Sequence, residues 1–155
     1  MATTPAARLE ELGLELPEVA APAAAYQPTA RTGSLVLTAG QLPVVDGALS
    51  ATGKLGDAVG TEQGVQLART CALNVLAAAA SAAGGLDRVR IVKLTVFVAS
   101  TSEFTEQHLV ANGASELLGK VLAEHGTHAR SAVGVASLPL DAPVEIEAVV
   151  EVLDH

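Results

Sequence analysis

The chain has 155 residues and a formal charge of −8; half of it is apolar, yet it holds only two Phe, one Tyr and no Trp. A single domain of this length buries about 70% of its unfolded surface without staples, so the expected core is Ala, Val and Leu. Nine scattered basic residues argue against a polyanionic partner, because phosphate binding needs clustered Lys and Arg, and the lone Cys71 rules out an intrachain disulfide or a cysteine metal site.

In chain order, "MATTPAARLEELG" has no basic stretch followed by an apolar run, so no targeting signal is read there. Residues 8–13 suggest one or two helical turns ending at Gly13. The stretch after them carries Pro17, Pro22 and Pro28, which fix φ and remove amide donors, so residues 1–25 are read as an extension or arm strapped to the surface. Gly33–Pro43 contains a strand core bounded by Gly and Pro, and Asp46-Gly47 signals a hairpin. From Thr61 to Ala83, Val65, Ala68, Ala72, Val75 and Ala79 recur at helical spacing; Thr61 is the candidate cap and Gly84-Gly85 the stop. Within it, "NVLAAAASAAGG" is too short and alanine-rich for a bilayer span. Cys71 reads as a small core residue rather than a reactive thiol, since no basic group is near it in sequence.

Arg90–Val98 alternates as a strand, with Val92, Leu94, Val96 and Val98 on one side and Ile91, Lys93, Thr95 and Phe97 on the other. Ser102 is the candidate cap of a second helix, roughly Glu103 to Glu124, with Leu109, Leu117, Val121 and Leu122 on its apolar side. Asn112-Gly113 in its middle costs about 1 kcal/mol for the glycine and invites a kink. Ser131–Ser137 and Val144–Leu153 are the closing strands. One domain over 1–155 follows, an α+β layout with a single mixed sheet and both long helices on one face. The final strand gives Val144, Ile146, Ala148, Val150 and Val152 to the helices and Glu145, Glu147, Val149, Glu151 and Leu153 to the other side. Ile91, Thr95, Phe97, Val133 and Val135 join that second side. So mixed a face suggests self-association; the alternative is an apolar-tinged free surface.

Phosphate loops, G-x-S-x-G elbows and strong metal spacings are absent. His125-x-x-His128 has the spacing of a metal pair but lacks a third ligand, and His108 and His155 read as solvated. Arg130 stands at a strand entrance, where a guanidinium can clamp a small carboxylate through two parallel hydrogen bonds or pair as a rim arginine. Glu145 lies fifteen positions on. If the two closing strands pair antiparallel, the two residues fall at opposite ends of that pair and meet only across a subunit boundary. A carboxyl half-buried there has a raised pKa and can move a proton to or from water; the alternative is an edge charge that discourages aggregation.

"HARSAVGVASLPLDAPVEIE" resembles the C-terminal signature of the RidA (YjgF/YER057c) family, Arg-Ser-x-Val-x-Val-x-x-Leu-Pro followed by Val/Ile-Glu-Ile-Glu. "LVLTAGQLPV", "ALNVLAAAASAAGGLDRV" and "VKLTVFVAS" are similar to the family's first strand, first long helix and central strand, in colinear order over about residues 26–153. "LEELGLELP" and "ANGASELL" match a longer subgroup with an N-terminal extension. The resemblance implies a chorismate-mutase-like homotrimer with clefts between subunits. It also implies hydrolysis of small enamine/imine intermediates, 2-imino acids such as that of 2-aminoacrylate, to 2-keto acids and ammonia, with no cofactor or metal required. A cytoplasmic setting without a nucleic-acid or membrane partner is the expectation from charge, the lack of a targeting signal and the short apolar run. Carried over, Arg130 and the Ala132 amide bind the substrate carboxylate, Glu145 positions or activates water, and Tyr26, Gly40 and Asn112 line the pocket. Two positions depart from the family's active deaminases: Ala39 stands where serine usually precedes the glycine, and Ala132 where cysteine is common. The missing hydroxyl costs about 1–3 kcal/mol if its partner stays buried. The alternatives are a trimer that binds small carboxylates without turnover and, from the family's older label, an endoribonuclease, against which the charge and the lack of stacking aromatics weigh.

Overall fold

The computed structural model describes residues 3–22 and 24–154; His155 lies outside them. A five-stranded mixed sheet runs in the order β1-β2-β7-β5-β6, from β1 (Thr29–Thr32), β2 (Leu35–Thr38), β5 (Val89–Ala99), β6 (Ala129–Val135) and β7 (Val144–Val152). β3 (Val44–Val45) and β4 (Ala48–Leu49) form a separate hairpin. Its turn is Asp46-Gly47, with φ of 51° and 83°, the left-handed pair that a two-residue hairpin needs. Helices α2 (Thr61–Ala83) and α3 (Gln107–Leu122) cover one face of the large sheet. The short α1 (Pro5–Glu11) docks on α3, where Arg8 Nε donates to Val121 O at 2.7 Å.

β7, last in the chain, sits in the middle. It pairs antiparallel with both β2 and β5, and its even residues Val144 to Val152 are buried under the helices while its odd ones face the other way. Strict alternation on a strand buried on one side produces this pattern. β5 follows it except at Val92, which has no partner because the register steps from Ile91↔Val150 to Lys93↔Val149. The bulge flips the faces: Ile91 is fully buried with Leu94, Val96 and Val98, and Val92 is exposed. Ile91 is therefore a core residue, not one of the open face.

The helices touch through small residues. The alanines of α2 are nearly all buried, and at 23 residues this helix is long and apolar enough to cross a membrane, though most of its apolar stretch lies inside the fold. Asn112-Gly113 neither kinks nor breaks α3. A Cβ at Gly113 would lie 2.0 Å from Val65 O of α2, so the glycine permits close helix contact.

Several boundaries differ from the sequence reading. α1 begins at Pro5, capped by Thr4, whose Oγ1 accepts from Ala7 N at 3.1 Å. Residues 29–32, which follow the proline-rich arm, form β1 against β2. Gly60, not Thr61, occupies the cap of α2; Thr61 Oγ1 reaches Glu106 Oε1 at 3.0 Å instead. α3 starts at Gln107 rather than Glu103, because Thr101–Phe104 make a turn, with Phe104 N bonded to Thr101 O at 3.2 Å, and Ser102 Oγ donates to the Glu103 carboxylate at 2.9 Å. Leu109 falls on the exposed side. β6 spans 129–135 and pairs with β5 in parallel, not with β7: the connection after β6 carries the chain past β5 to the slot beside β2.

The two glycines of α3 separate packing from propensity. Gly113→Ala is expected to destabilise the protein by about 1–3 kcal/mol through overpacking, whereas Gly119→Ala, with nothing within 4 Å of its added Cβ, is expected to stabilise it by up to ~1 kcal/mol. Chemical denaturation of the two variants reads the opposite signs.

Candidate functional site

Arg130 enters β6 opposite Leu94 of β5, a core-facing position, so its side chain leaves the sheet edge on the helix side. It meets a stripe of α3. Nη1 donates to Asn112 Oδ1 at 2.9 Å and Ser115 Oγ at 3.1 Å, and Nη2 donates to the His108 carbonyl at 3.3 Å. Positions 108, 112 and 115 follow helical spacing, which puts them on one side of α3. All three acceptors are neutral. The ion pair Arg90–Glu151 at 2.8 Å does not involve Arg130, which meets no carboxylate among the described residues. Three of the five guanidinium N–H groups are used, which leaves two donors for an outside acceptor. Ala132, two residues on, faces the same side, and β6 is an edge strand with half its amides unpaired in the sheet.

Glu145 belongs to a different neighbourhood. It pairs with Phe97 on the open face of the sheet and is partly buried, and its carboxylate lies against Gly40. A Cβ at position 40 would sit 2.2 Å from Glu145 Oε1, so a larger residue there would displace the Glu145 side chain. A reciprocal backbone pair, Gln41 N to Ile146 O at 2.7 Å and Ile146 N to Gln41 O at 3.0 Å, clamps the two segments together. Gly40, Ala39 and Tyr26 line a cleft of about 830 Å3 between the 17–28 arm and the β3–β4 hairpin. Asn74 stands in its wall, donating to Leu42 O and Val44 O at 3.0 and 3.1 Å. Burial pushes the Glu145 carboxyl above its usual range, and the neighbouring Glu147 adds to the shift.

Within one chain the predicted residues thus form two groups: Arg130, Asn112 and Ala132 by α3, and Glu145, Gly40 and Tyr26 on the other side. β5 lies between their strands. Cys71 is fully buried and its thiol is pushed well up, by burial first and the charge of Glu145 second, so it is no nucleophile. His128 takes no part in a metal pair: Nδ1 lies 2.6 Å from Gly126 O and Nε2 2.9 Å from Ser115 Oγ. Sequence reasoning missed Ser115 as a partner of the arginine and His128 as a partner of Ser115; for Ser115 the i, i+3 step from Asn112 was the available signal. A second cavity, of about 600 Å3, opens at the carboxyl ends of β5 and β6 beside Lys54 and Gln107 and holds none of the predicted residues.

A family model described as Endoribonuclease L-PSP matches residues 17–152. The chain belongs to this family, the YjgF/RidA family. Protein TCP17 of Trypanosoma cruzi, a curated relative, is 49% identical over 148 residues, 94% of this chain and 92% of its own length. A solved structure from Shewanella oneidensis MR-1 superposes with a TM-score of 0.94 at 33% identity, covering 97% of this chain and 100% of that one. The structure of E. coli TdcF with bound serine matches at 30% identity and a TM-score of 0.61, over 89% and 93% of the two chains. The α+β mixed-sheet architecture is thus that of the YjgF/RidA family.

The raised Glu145 carboxyl has a consequence for stability. Folding disfavours its ionised form, so the cost is absent below the ordinary glutamate pKa and accrues as pH rises toward the raised folded value. Glu145→Gln is therefore expected to raise the melting temperature at neutral pH, with the advantage fading as pH falls through the normal carboxylate range; thermal unfolding across pH checks it.

Proposed function

We propose that this protein is an enamine/imine deaminase that hydrolyses small 2-imino acids to 2-keto acids and ammonia, at clefts shared between the subunits of a homotrimer. The observation that carries the reading is Arg130: a guanidinium oriented by three neutral acceptors, with two N–H donors left over and no carboxylate partner among the described residues. In a chain of net charge −8, a cation without an internal counter-ion fits an anionic ligand. The bidentate geometry of guanidinium and carboxylate makes a 2-imino or 2-keto acid the matching class, and serine bound to E. coli TdcF is a small carboxylate-bearing molecule in a relative.

The chemistry needs little else. Water adds its oxygen to the imine carbon and a proton reaches the nitrogen; the carbinolamine then collapses, expelling ammonia and leaving the carbonyl. No electrons are transferred, so positioning and proton movement suffice. Glu145, with its carboxyl held above the usual range, suits both halves: ionised it takes a proton from water, protonated it supplies one to the leaving nitrogen. Arg130 and the Ala132 amide hold the carboxylate, while Tyr26, Gly40 and Asn112 shape the surroundings.

A shared site follows from the placement of these groups. Arg130 and Glu145 leave opposite faces of the sheet, so one ligand can touch both only if a second chain supplies one of them. The open face around Glu145 carries Phe97, Val133 and Val149 beside exposed Leu35 and Leu37, an apolar surface suited to a second copy. The lone, buried thiol suits a cytoplasmic setting.

One observation favours a second reading, a trimer that holds small carboxylates without turnover: Ala39 puts a methyl group in the cleft where the family's deaminases usually carry a hydroxyl. The endoribonuclease reading finds least support, since an acidic chain with three aromatic residues lacks both phosphate contacts and stacking platforms.

The test generates 2-aminoacrylate with a dehydratase and follows pyruvate release. Wild type should accelerate it and Arg130→Ala should lose about 10- to 100-fold, the cost of a charge-assisted bidentate contact. Binding of 2-oxobutyrate with no acceleration selects the non-catalytic trimer, and RNA cleavage that survives Arg130→Ala selects the nuclease. Mixing Arg130→Ala with Glu145→Gln chains provides a separate check of the shared site. In random trimers about a quarter of the clefts regain both groups, so activity should reappear on co-refolding; if both groups came from one chain, it would not.

A further inference from the structure

The contacts of Arg130 extend one step further than its binding partners. Ser115 Oγ accepts from Arg130 Nη1 at 3.1 Å and lies 2.9 Å from His128 Nε2, while His128 Nδ1 lies 2.6 Å from the Gly126 carbonyl. A carbonyl only accepts, so Nδ1 must carry the hydrogen. In the neutral ring, Nε2 is then an acceptor, and the Ser115 hydroxyl must give its proton to Nε2. Its lone pairs are thereby turned toward Arg130. Each atom has one role, and the chain Arg130 to Ser115 to His128 to Gly126 runs in a single direction.

Both ends rest on α3. Gly126 packs so closely on that helix that a Cβ would lie 2.3 Å from Leu118 O, so the loop backbone rests directly on α3 there. Ser115, Asn112 and His108 supply the other end from the same helix. The loop between α3 and β6 is thus stapled back to α3 through the imidazole, and the guanidinium is oriented through the hydroxyl.

We infer that His128 and Ser115 are positioning residues that orient the Arg130 fork for a carboxylate ligand, His128 acting only through the Ser115 hydroxyl. This rests on the reading that Arg130 binds the substrate carboxylate. The division of labour is specific: Asn112 and the His108 carbonyl hold the guanidinium, and the histidine decides which way the serine's lone pairs point. A metal role for His128 is incompatible with it, because both ring nitrogens are occupied.

Three measurements on the full-length protein test it. First, long-range 1H–15N spectra at alkaline pH, with the His128 signal assigned by its loss in His128→Phe, should show the Nδ1–H tautomer; an Nε2–H tautomer overturns the inference. Second, titration with 2-oxobutyrate should find Ser115→Ala and His128→Phe each weakened about three- to tenfold, the worth of one net hydrogen bond, with Ser115→Thr near wild type because it keeps the hydroxyl. Third, the double variant should bind no worse than Ser115→Ala alone. Additive losses would make the two residues independent supports of the fold and refute the relay. Wild-type binding by Ser115→Ala alongside lost binding by Arg130→Ala refutes the relay and leaves the arginine reading intact. If Arg130→Ala itself binds at full strength, the reading beneath fails and the carboxylate role falls with it. The tautomer measurement, which needs no ligand, still reports on the hydrogen-bond chain.

Discussion

The position of β7 between β2 and β5 is the constraint on which the molecule depends. β2, α2 and β5 form one strand-helix-strand unit and β5, α3 and β6 another, and the slot between β2 and β5 stays open until the last strand fills it. Every even residue of β7 then faces helices and every odd residue the opposite side. A one-residue slip would expose Val144 to Val152 and bury three glutamates, so register is enforced by the free energy of the whole face. Glu145 inherits its location from that register: it sits beside Phe97, against Gly40, on the face the helices do not cover.

The same insertion separates the two halves of the candidate site. Because β7 occupies the middle, β6 is left at the edge, parallel to β5 and pressed against α3. Arg130 therefore finds its partners on a helix, and Glu145 finds its own on a sheet face and a loop. No side-chain rotation joins them through a packed core, since native interiors have no spare volume of that size. A site using both groups is incomplete in one chain, whatever its chemistry.

Much of this was legible in the sequence, and what was not has identifiable causes. The period of α2, the alternation of β7 and the Asp46-Gly47 turn are local signals of burial and backbone preference, and the structure follows them. β1 was hidden because Thr29–Thr32 has no apolar alternation: it is an edge strand, largely exposed. The bulge at Val92 was hidden because Val fits either face, and only the pairing with β7 reveals the extra residue. The partner of β6 is not fixed by the sequence, because a short proline turn is compatible with a hairpin, whereas strand order is decided by which slot remains open. Of the site, Arg130, Glu145 and Gly40 stood out through a resemblance and through charge in an apolar strand. Ser115 and His128 did not, since a polar residue at helical spacing and a histidine before a strand are ordinary until the fold closes the distance.

The neutrality of the partners of Arg130 is what makes the rest coherent. The net charge of an acidic chain opposes an anionic ligand, but exposed carboxylates beyond about 8–10 Å are screened at physiological salt, so the groups in direct contact decide. Had α3 offered a glutamate at position 112 or 115, the guanidinium's charge would be paired and its fork filled. An amide, a hydroxyl and a backbone carbonyl hold it in place while leaving its charge and two of its hydrogens unclaimed. Orientation and availability usually compete for an arginine in an acidic protein. Here they are divided between different atoms of one side chain: three of its hydrogens hold it on α3 and two point to no acceptor among the described residues.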